Sequence, residues 1–217
     1  KVIYFPLGTA NDFARSLSLN PIQPEVSIVK DIVNNSPTVT IPIMSCNSKN
    51  FINVATGGAL ALITESGSDI LKNVTGKLSY YVGALDEILS PQEYEITFKT
   101  KSSNKRVILT NGFIISQGLY AGGGVKVSPH ISPLFKETFN FLTLESKELA
   151  SSLADILKIQ QSDSITDLKE SKIITEDLEE LIIQSETELP LKLDGEEYTS
   201  KKLKFSKSGK ELKFYLY

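Results

Sequence analysis

Gly8, Thr9, Asn11 and Asp12 fall close together, directly after an apolar run. The glycine permits a tight turn whose backbone can approach a ligand closely. Thr9, followed three residues later by Asp12, has the form of a capping box opening a short helix. Free N–H groups and a favourable dipole at such a helix start would attract an anion, phosphate included. Asp12 would repel that anion unless a cation stood between them. As pattern alone, the stretch is equally a strand–turn–helix corner with a good cap. A second acidic stretch, Leu193-Asp194-Gly195-Glu196, lies near the other end of the chain. Between alternating strand-like runs, Asp-Gly is a strong hairpin-turn signal. Other reactive side chains are few. His130 has no second histidine to share a metal, and Cys46 sits in an apolar strand pattern that suits packing.

These residues need elements to hold them. Val2-Ile3-Tyr4-Phe5 reads as a buried strand that Pro6 stops, and a short helix follows. Leu19 to Pro24 is rich in breakers, and Glu25 to Asn34 carries a weakly helical pattern. The turn cluster Asn34-Asn35-Ser36-Pro37 marks a boundary, dividing the chain into 1–36 and 37–217. Beyond it the pattern changes to strands. Thr38 to Ser45 alternates, with Pro42 arguing for an edge position, and Phe51 to Ala55 is its expected return partner. Thr56-Gly57-Gly58-Ala59 reads as a glycine-relieved strand-to-helix corner. A helix is expected from Gly76 to Leu89, and an antiparallel pair from Glu93–Lys101 and Lys105–Ser116. Phe139 to Leu144 reads as a strand, Lys147 to Lys158 as a helix, and Gln160 to Asp177 as helix or loop. Four strand-like runs finish the chain: Leu178–Ser185, Leu189–Leu193, Lys202–Ser206 and Glu211–Tyr217. The glycine-rich Ala121-Gly122-Gly123-Gly124-Val125 lacks the Gly-Lys-Ser/Thr end of a P-loop. The expected fold class is α+β, mainly an antiparallel β-sandwich with a few helices.

Composition narrows the function classes. A chain of 217 residues, 41% hydrophobic and 23% charged, is an ordinary globular sequence with room for one large or two small domains. A net charge of −3 gives no support for nucleic-acid binding. One cysteine excludes an intrachain disulfide and suits a reducing cytoplasm. No apolar run approaches the ~18 residues of a spanning helix, so membrane contact is expected to be peripheral. The basic turn from Lys99 to Arg106 would suit anionic headgroups, but it reads first as a solvated hairpin tip.

The wording of several stretches is more specific than their pattern. Gly8-Thr9-Ala10-Asn11-Asp12-Phe13-Ala14-Arg15 resembles the GT-x-N-D-F-A-R signature of bacterial soluble lipid kinases, relatives of diacylglycerol kinase catalytic domains and sphingosine kinases. Further segments resemble that family in the same order. They are Asn53–Gly58, Gly76-Lys77 with Tyr80, Gly122-Gly123-Gly124 with Pro129, and Asp194-Gly195-Glu196, so the likeness covers essentially the whole chain. It implies that residues 1–36 end a nucleotide-binding domain and that 37–217 form a β-sandwich lipid domain. Gly8, Thr9, Asn11 and Asp12 would line the phosphate–substrate cleft. Asp194 would be the base accepting the substrate hydroxyl proton, with Glu196 orienting it or binding substrate. Phosphoryl transfer to an alcohol needs positioned phosphates, charge neutralisation and a carboxylate beside the attacking oxygen. Asp194 supplies the last of these. ATP and Mg²⁺ are the implied cofactors. The implied substrate is a lipid alcohol such as diacylglycerol, phosphatidylglycerol or a sphingoid base, met at a membrane surface. A homo-oligomer is left open.

Two departures from the family matter. Its Gly-Gly-Asp-Gly-Thr phosphate loop does not occur in this sequence and is expected to precede Lys1, which would leave the chain inactive alone. Where the family writes Pro-x-Ala-x-x-x-Asp-Gly for an accessory Mg²⁺, this chain reads Pro129-His130-Ile131-Ser132-Pro133-Leu134-Phe135-Lys136-Glu137. Glu137 is the only carboxylate there for that metal. The rival reading is a lipid-binding or regulatory module that keeps the fold without turnover.

Overall fold

The computed structural model describes residues 1–8, 11–62, 93–100, 106–128, 133–145 and 173–217. The helices expected at 76–89 and 147–158, the basic hairpin tip, Thr9 and His130 lie outside them. The described chain is mostly antiparallel strand with few helices, an α+β fold as expected. Its helices are α1 (Asp12–Ser16), α2 (Val26–Asn35) and α3 (Ala59–Leu62). The strands are β1 (Thr38–Cys46), β2 (Lys49–Phe51), β3 (Val54–Gly58), β4 (Tyr94–Thr100) and β5 (Arg106–Ser116). They continue with β6 (Tyr120–Ala121), β7 (Val125–Lys126), β8 (Phe139–Glu145), β9 (Ile173–Leu178), β10 (Glu180–Leu193) and β11 (Glu196–Tyr215).

Nine strands share one hydrogen-bonded sheet in the order β2-β1-β11-β10-β3-β5-β8-β9, with β4 pairing both β10 and β5. Within it β4 and β3 each bridge β10 to β5. Strand β10 reaches both because its register breaks between Gln184 and Leu189. Its first half pairs with β4 and its second half with β3. The two runs expected at 178–185 and 189–193 therefore belong largely to one strand.

The final runs likewise merge into β11, which is 20 residues long. Opposite it, the β1 register shifts between Pro42 and Met44. Proline offers no N–H to a ladder, and Gly209, at φ 74, lets β11 accommodate the extra residues. Strand β9 pairs along β8, where helix or loop was expected. Its Thr175, Glu176 and Asp177 hide any apolar alternation. The expected strand at Val2–Phe5 reduces to a single parallel bridge from Val2 to Phe214. Gly58, at φ 69, turns β3 into α3, as the corner reading required.

Period-2 alternation builds the main core. In β4, Tyr94, Ile96 and Phe98 are buried while Glu95 and Lys99 face water. Phe98 meets Phe141 of β8 with ring centroids 5.2 Å apart, and Phe205 of β11 meets Phe113 of β5 edge-on at 6.4 Å. Each such side chain contributes about 2 kcal/mol by leaving water. A smaller cluster joins Phe13, Ala14, Leu17 and Leu19 to Ile41, Leu134 and Phe214. That cluster seats the short α1 on the end of β1 and β11. A five-residue helix is too short to be stable by itself, so this packing holds it in place.

Candidate active site at the Asp194 turn

Asp194 and Gly195 form the two-residue turn between β10 and β11, with φ 48 and φ 96. Positive φ at both positions is the type I′ pattern that Asp-Gly favours. The Asp194 N–H donates to the Val54 carbonyl at 2.9 Å. Its carboxylate receives three consecutive backbone N–H groups. Ile52 donates to Oδ2 at 2.6 Å, and Asn53 and Val54 donate to Oδ1 at 3.0 and 2.9 Å. Successive N–H groups in a strand point to opposite sides, so three converging on one carboxylate cannot belong to a regular ladder. The strand expected over Phe51–Ala55 is therefore broken at Ile52-Asn53, between β2 and β3. A carboxylate has about four lone-pair sites, which leaves Oδ2 room for one more donor. Asp194 is exposed. Glu196 is exposed at the start of β11, paired in register with Leu193, and among the described residues no hydrogen bond joins it to Asp194.

The turn that holds Asp194 is gripped from behind by Gln117, which is fully buried. Its Nε2 donates to the carbonyls of Ile52 and Pro42, both at 2.8 Å, and its backbone N–H donates to the Asn53 carbonyl at 3.0 Å. Gln117 Oε1 accepts from the Lys207 ammonium. Burial pulls the Lys207 amine down to about 8, against the opposing pull of Glu137. Neither residue carried a motif. The one local signal is that polar Gln117 directly follows the largely apolar strand β5 and precedes a glycine.

At the opening motif, Thr9 of the expected capping box lies outside the described residues. Helix α1 begins at Asp12, and its N-cap is Asn11 in the left-handed region at φ 49, with no side-chain cap bond. The Asn11 side chain binds the preceding loop instead. Its Oδ1 accepts the Gly8 N–H at 3.0 Å, and its Nδ2 donates to the carbonyls of Pro6 at 3.1 Å and of Gly8. Asp12 Oδ2 accepts the Gly123 N–H at 2.9 Å. Gly122, Gly123 and Gly124 all have positive φ in the turn between β6 and β7. The Arg15 guanidinium lies over the Tyr120 ring, 5.6 Å from its centroid. Ser16 Oγ accepts the Leu119 N–H at 3.0 Å. The first motif and the glycine-rich segment thus form one unit.

Tyr4 packs edge-on against Phe13 of α1. Its phenol pKa is raised by burial first, then by the charges of Asp12 and of Asp194. Both carboxylates therefore act on one side chain. Asp12 Oδ1 is buried with no hydrogen-bond partner among the described residues. Such an oxygen fits a cation, since a buried carboxylate oxygen without a partner is costly. Glu137 differs. It is exposed on the bend after a short 3-10 turn (Pro133–Phe135), in which Leu134 is fully buried and Phe135 is exposed. Among the described residues no three His, Cys, Asp or Glu side chains group as a metal site. Cys46 is fully buried, and burial pushes its thiol up to about 12, so it packs rather than reacts.

No family model matches the chain. The chain is 30% identical to the diacylglycerol kinase of Bacillus subtilis (strain 168) over 195 residues, covering 88% of this chain and 61% of that protein. It is 27% identical to the diacylglycerol kinase of Staphylococcus haemolyticus over 198 residues, covering 90% of this chain and 57% of that protein. It thus spans less than two thirds of either relative's length. A crystal structure of a diacylglycerol kinase from Bacillus anthracis str. Sterne superposes with a TM-score of 0.67 at 16% identity, over 97% of this chain and 66% of that one. That likeness carries the fold. The resemblance read from Gly8–Arg15 and Asp194–Glu196 is upheld, for this chain's curated relatives are bacterial diacylglycerol kinases.

Proposed function

We propose, from its likeness to bacterial diacylglycerol kinases, that this chain supplies the proton-accepting wall of a site moving the ATP γ-phosphoryl group onto a lipid hydroxyl. The observation that carries the reading is the Asp194 carboxylate. It is exposed, oriented by three backbone N–H groups and left with capacity on Oδ2. In the step, the alcohol proton passes to Asp194 Oδ2 as the alcohol oxygen bonds the γ-phosphorus. The bond from that phosphorus to the β–γ bridging oxygen breaks, and ADP leaves. Holding Asp194 by backbone amides costs no reorganisation at the moment of reaction.

Gly8, Thr9, Asn11 and Asp12 line the phosphate side in this reading. Asn11 fixes the Pro6–Gly8 loop, and Asp12 presents Oδ1, which has no hydrogen-bond partner among the described residues. Mg²⁺, when bound with ATP, neutralises phosphate charge, and Asp12 is the residue of this chain that would hold it. Residues 1–36 belong to the nucleotide side and 37–217 to the lipid side. The site is cytoplasmic, and substrate reaches it by peripheral contact with a membrane. No helix among the described residues is long and apolar enough to cross one.

A second reading is favoured by one feature. The amide grip on Asp194 would serve equally as a structural clamp in a lipid-binding module without turnover. A labelled-ATP assay of the full-length protein against a panel of lipid alcohols separates the two. Phosphate transfer to a diacylglycerol-type alcohol is expected, and transfer to none of the panel would leave only the module.

A further inference from the structure

The three N–H groups on Asp194 belong to a turn whose peptide planes are held at both ends. In a trans peptide the C=O and the following N–H point in opposite directions. The Ile52–Asn53 peptide gives its N–H to Asp194 Oδ1 at 3.0 Å and receives Gln117 Nε2 on its carbonyl at 2.8 Å. The next peptide, Asn53–Val54, gives its N–H to the same oxygen at 2.9 Å and receives the Gln117 backbone N–H at 3.0 Å. Gln117 and Asp194 therefore grip the same two peptides from opposite sides. Hydrogen bonds in such a chain polarise one another, so each end strengthens the other.

Gln117 is in turn held one way round. Its NH₂ end meets the carbonyls of Ile52 and Pro42, which only a donor satisfies. Its carbonyl end faces Lys207, whose ammonium donates to it. Pro42 has this carbonyl at the break in the β1–β11 register, and Lys207 lies opposite Met44 just past it. The irregularity in the strand pair thus creates the place where Gln117 anchors.

We propose that Gln117 and Lys207 are positioning residues for Asp194, acting through the Ile52–Val54 turn. This rests on the reading of Asp194 as the proton acceptor. Loss of either residue slackens the turn and moves the carboxylate relative to the alcohol, while leaving the phosphate-side residues Gly8, Asn11 and Asp12 in place. Such a displacement is felt in kcat more than in KM for ATP.

The test uses the full-length protein with Gln117→Met, Lys207→Met and Lys207→Arg, each alone and combined with Asp194→Asn. Two readouts are taken: kcat and KM with diacylglycerol, and amide hydrogen exchange at Asn53 and Val54. Lys207→Met and Gln117→Met should lower kcat roughly 10- to 100-fold with KM for ATP unchanged. Lys207→Arg should restore most of that loss. In the Asp194→Asn background the further loss should vanish, because the pair acts only through Asp194. Exchange at Asn53 and Val54 should quicken in the Met variants and not in Lys207→Arg. A kcat loss that persists in full beside Asp194→Asn, or unchanged exchange at both amides, overturns the proposal. Should Gln117→Met fail to fold, the two Lys207 variants decide by the same criteria. If the unsubstituted protein phosphorylates no lipid, the kinase reading falls and exchange alone decides the positioning: faster exchange supports it, unchanged exchange overturns it.

Discussion

Asp12 Oδ2 accepts the backbone N–H of Gly123 at 2.9 Å, although the two residues are 111 positions apart in the chain. The bond fastens the start of α1 to the glycine turn of β6 and β7. Arg15, one helical turn on, covers Tyr120 of the same turn. The aspartate at the helix start is thereby fixed in place, and its second oxygen has no hydrogen-bond partner among the described residues.

The first prediction concerns that turn. Gly124 stands at φ 101, a conformation side chains rarely adopt, and an added Cβ would sit 3.3 Å from Arg15 Cζ. Gly124→Ala should destabilise the protein by ~1–3 kcal/mol from backbone strain. It should also loosen Arg15 from Tyr120. Urea unfolding measures the first effect. A shift within experimental error would mean that the turn relaxes freely and does not brace α1.

Asp194→Asn should lower kcat of the full-length protein by ~10²–10⁴, the range for removing a general base. The turn tolerates asparagine at positive φ. The side chain fits less well, because its NH₂ group would face at least one of the three N–H donors now bound to the carboxylate. A stability loss of ~1–3 kcal/mol is therefore expected beside the kinetic one. Near-normal turnover in a folded variant would leave Asp194 a turn residue.

The sequence carried the two motif segments and the alternation of β4, β5 and β8, because each is local. The Asp-Gly turn was equally legible as a hairpin. Its grip on Ile52–Val54 was not, since a carboxylate competing with a strand ladder leaves no periodic mark. The same holds for Asn11, which takes the N-cap of α1 and gives its side chain to the Pro6–Gly8 loop. Strand β9 was hidden for another reason. Its polar residues carry no alternation, and only pairing with β8 makes it a strand. Gln117 and Lys207 were silent because their role depends on the break in register at Pro42, which is a property of two strands together.

ATP binding tests the phosphate side. The chain contains no Gly-Gly-Asp-Gly-Thr loop, so in the proposed reading Gly8, Asn11 and Asp12 would offer only one wall of a nucleotide site. Isothermal titration of ATP into the 217-residue chain should detect no tight binding. Micromolar affinity would show that these residues hold the nucleotide unaided.

Lys207 makes stability depend on pH in a definite direction. Its folded-state value, about 8, lies below the ordinary lysine value of 10.5, so the unfolded chain binds more protons between them. Stability therefore rises with pH across that window. Below it the cost of burying the charge is fully present, and above it the amine is neutral in both states. The neutral amine still donates to Gln117, so the hydrogen bond survives. Urea midpoints of the protein, compared with Lys207→Met at each pH, should converge or favour the lysine as pH rises from about 8 to 10.5. A difference flat across that window would show that Lys207 titrates as an exposed lysine.

The last prediction concerns Glu137. A Mg²⁺ site wants oxygen ligands in near-octahedral order, commonly one or two carboxylates with several waters. Glu137 is exposed, Phe135 beside it has no side-chain oxygen, and Lys136 adds positive charge. The carboxylate also acts on the Lys207 amine, which already supplies a cation on that side. An ordered divalent ion at Glu137 would have to compete with that ammonium while itself held by one flexible carboxylate. We therefore expect none to bind there, and expect Glu137→Gln to leave the metal dependence of turnover unchanged. Crystals of the protein soaked in millimolar Mn²⁺ give the direct measurement. Anomalous density within coordinating distance of Glu137 would show that the loop binds metal after all.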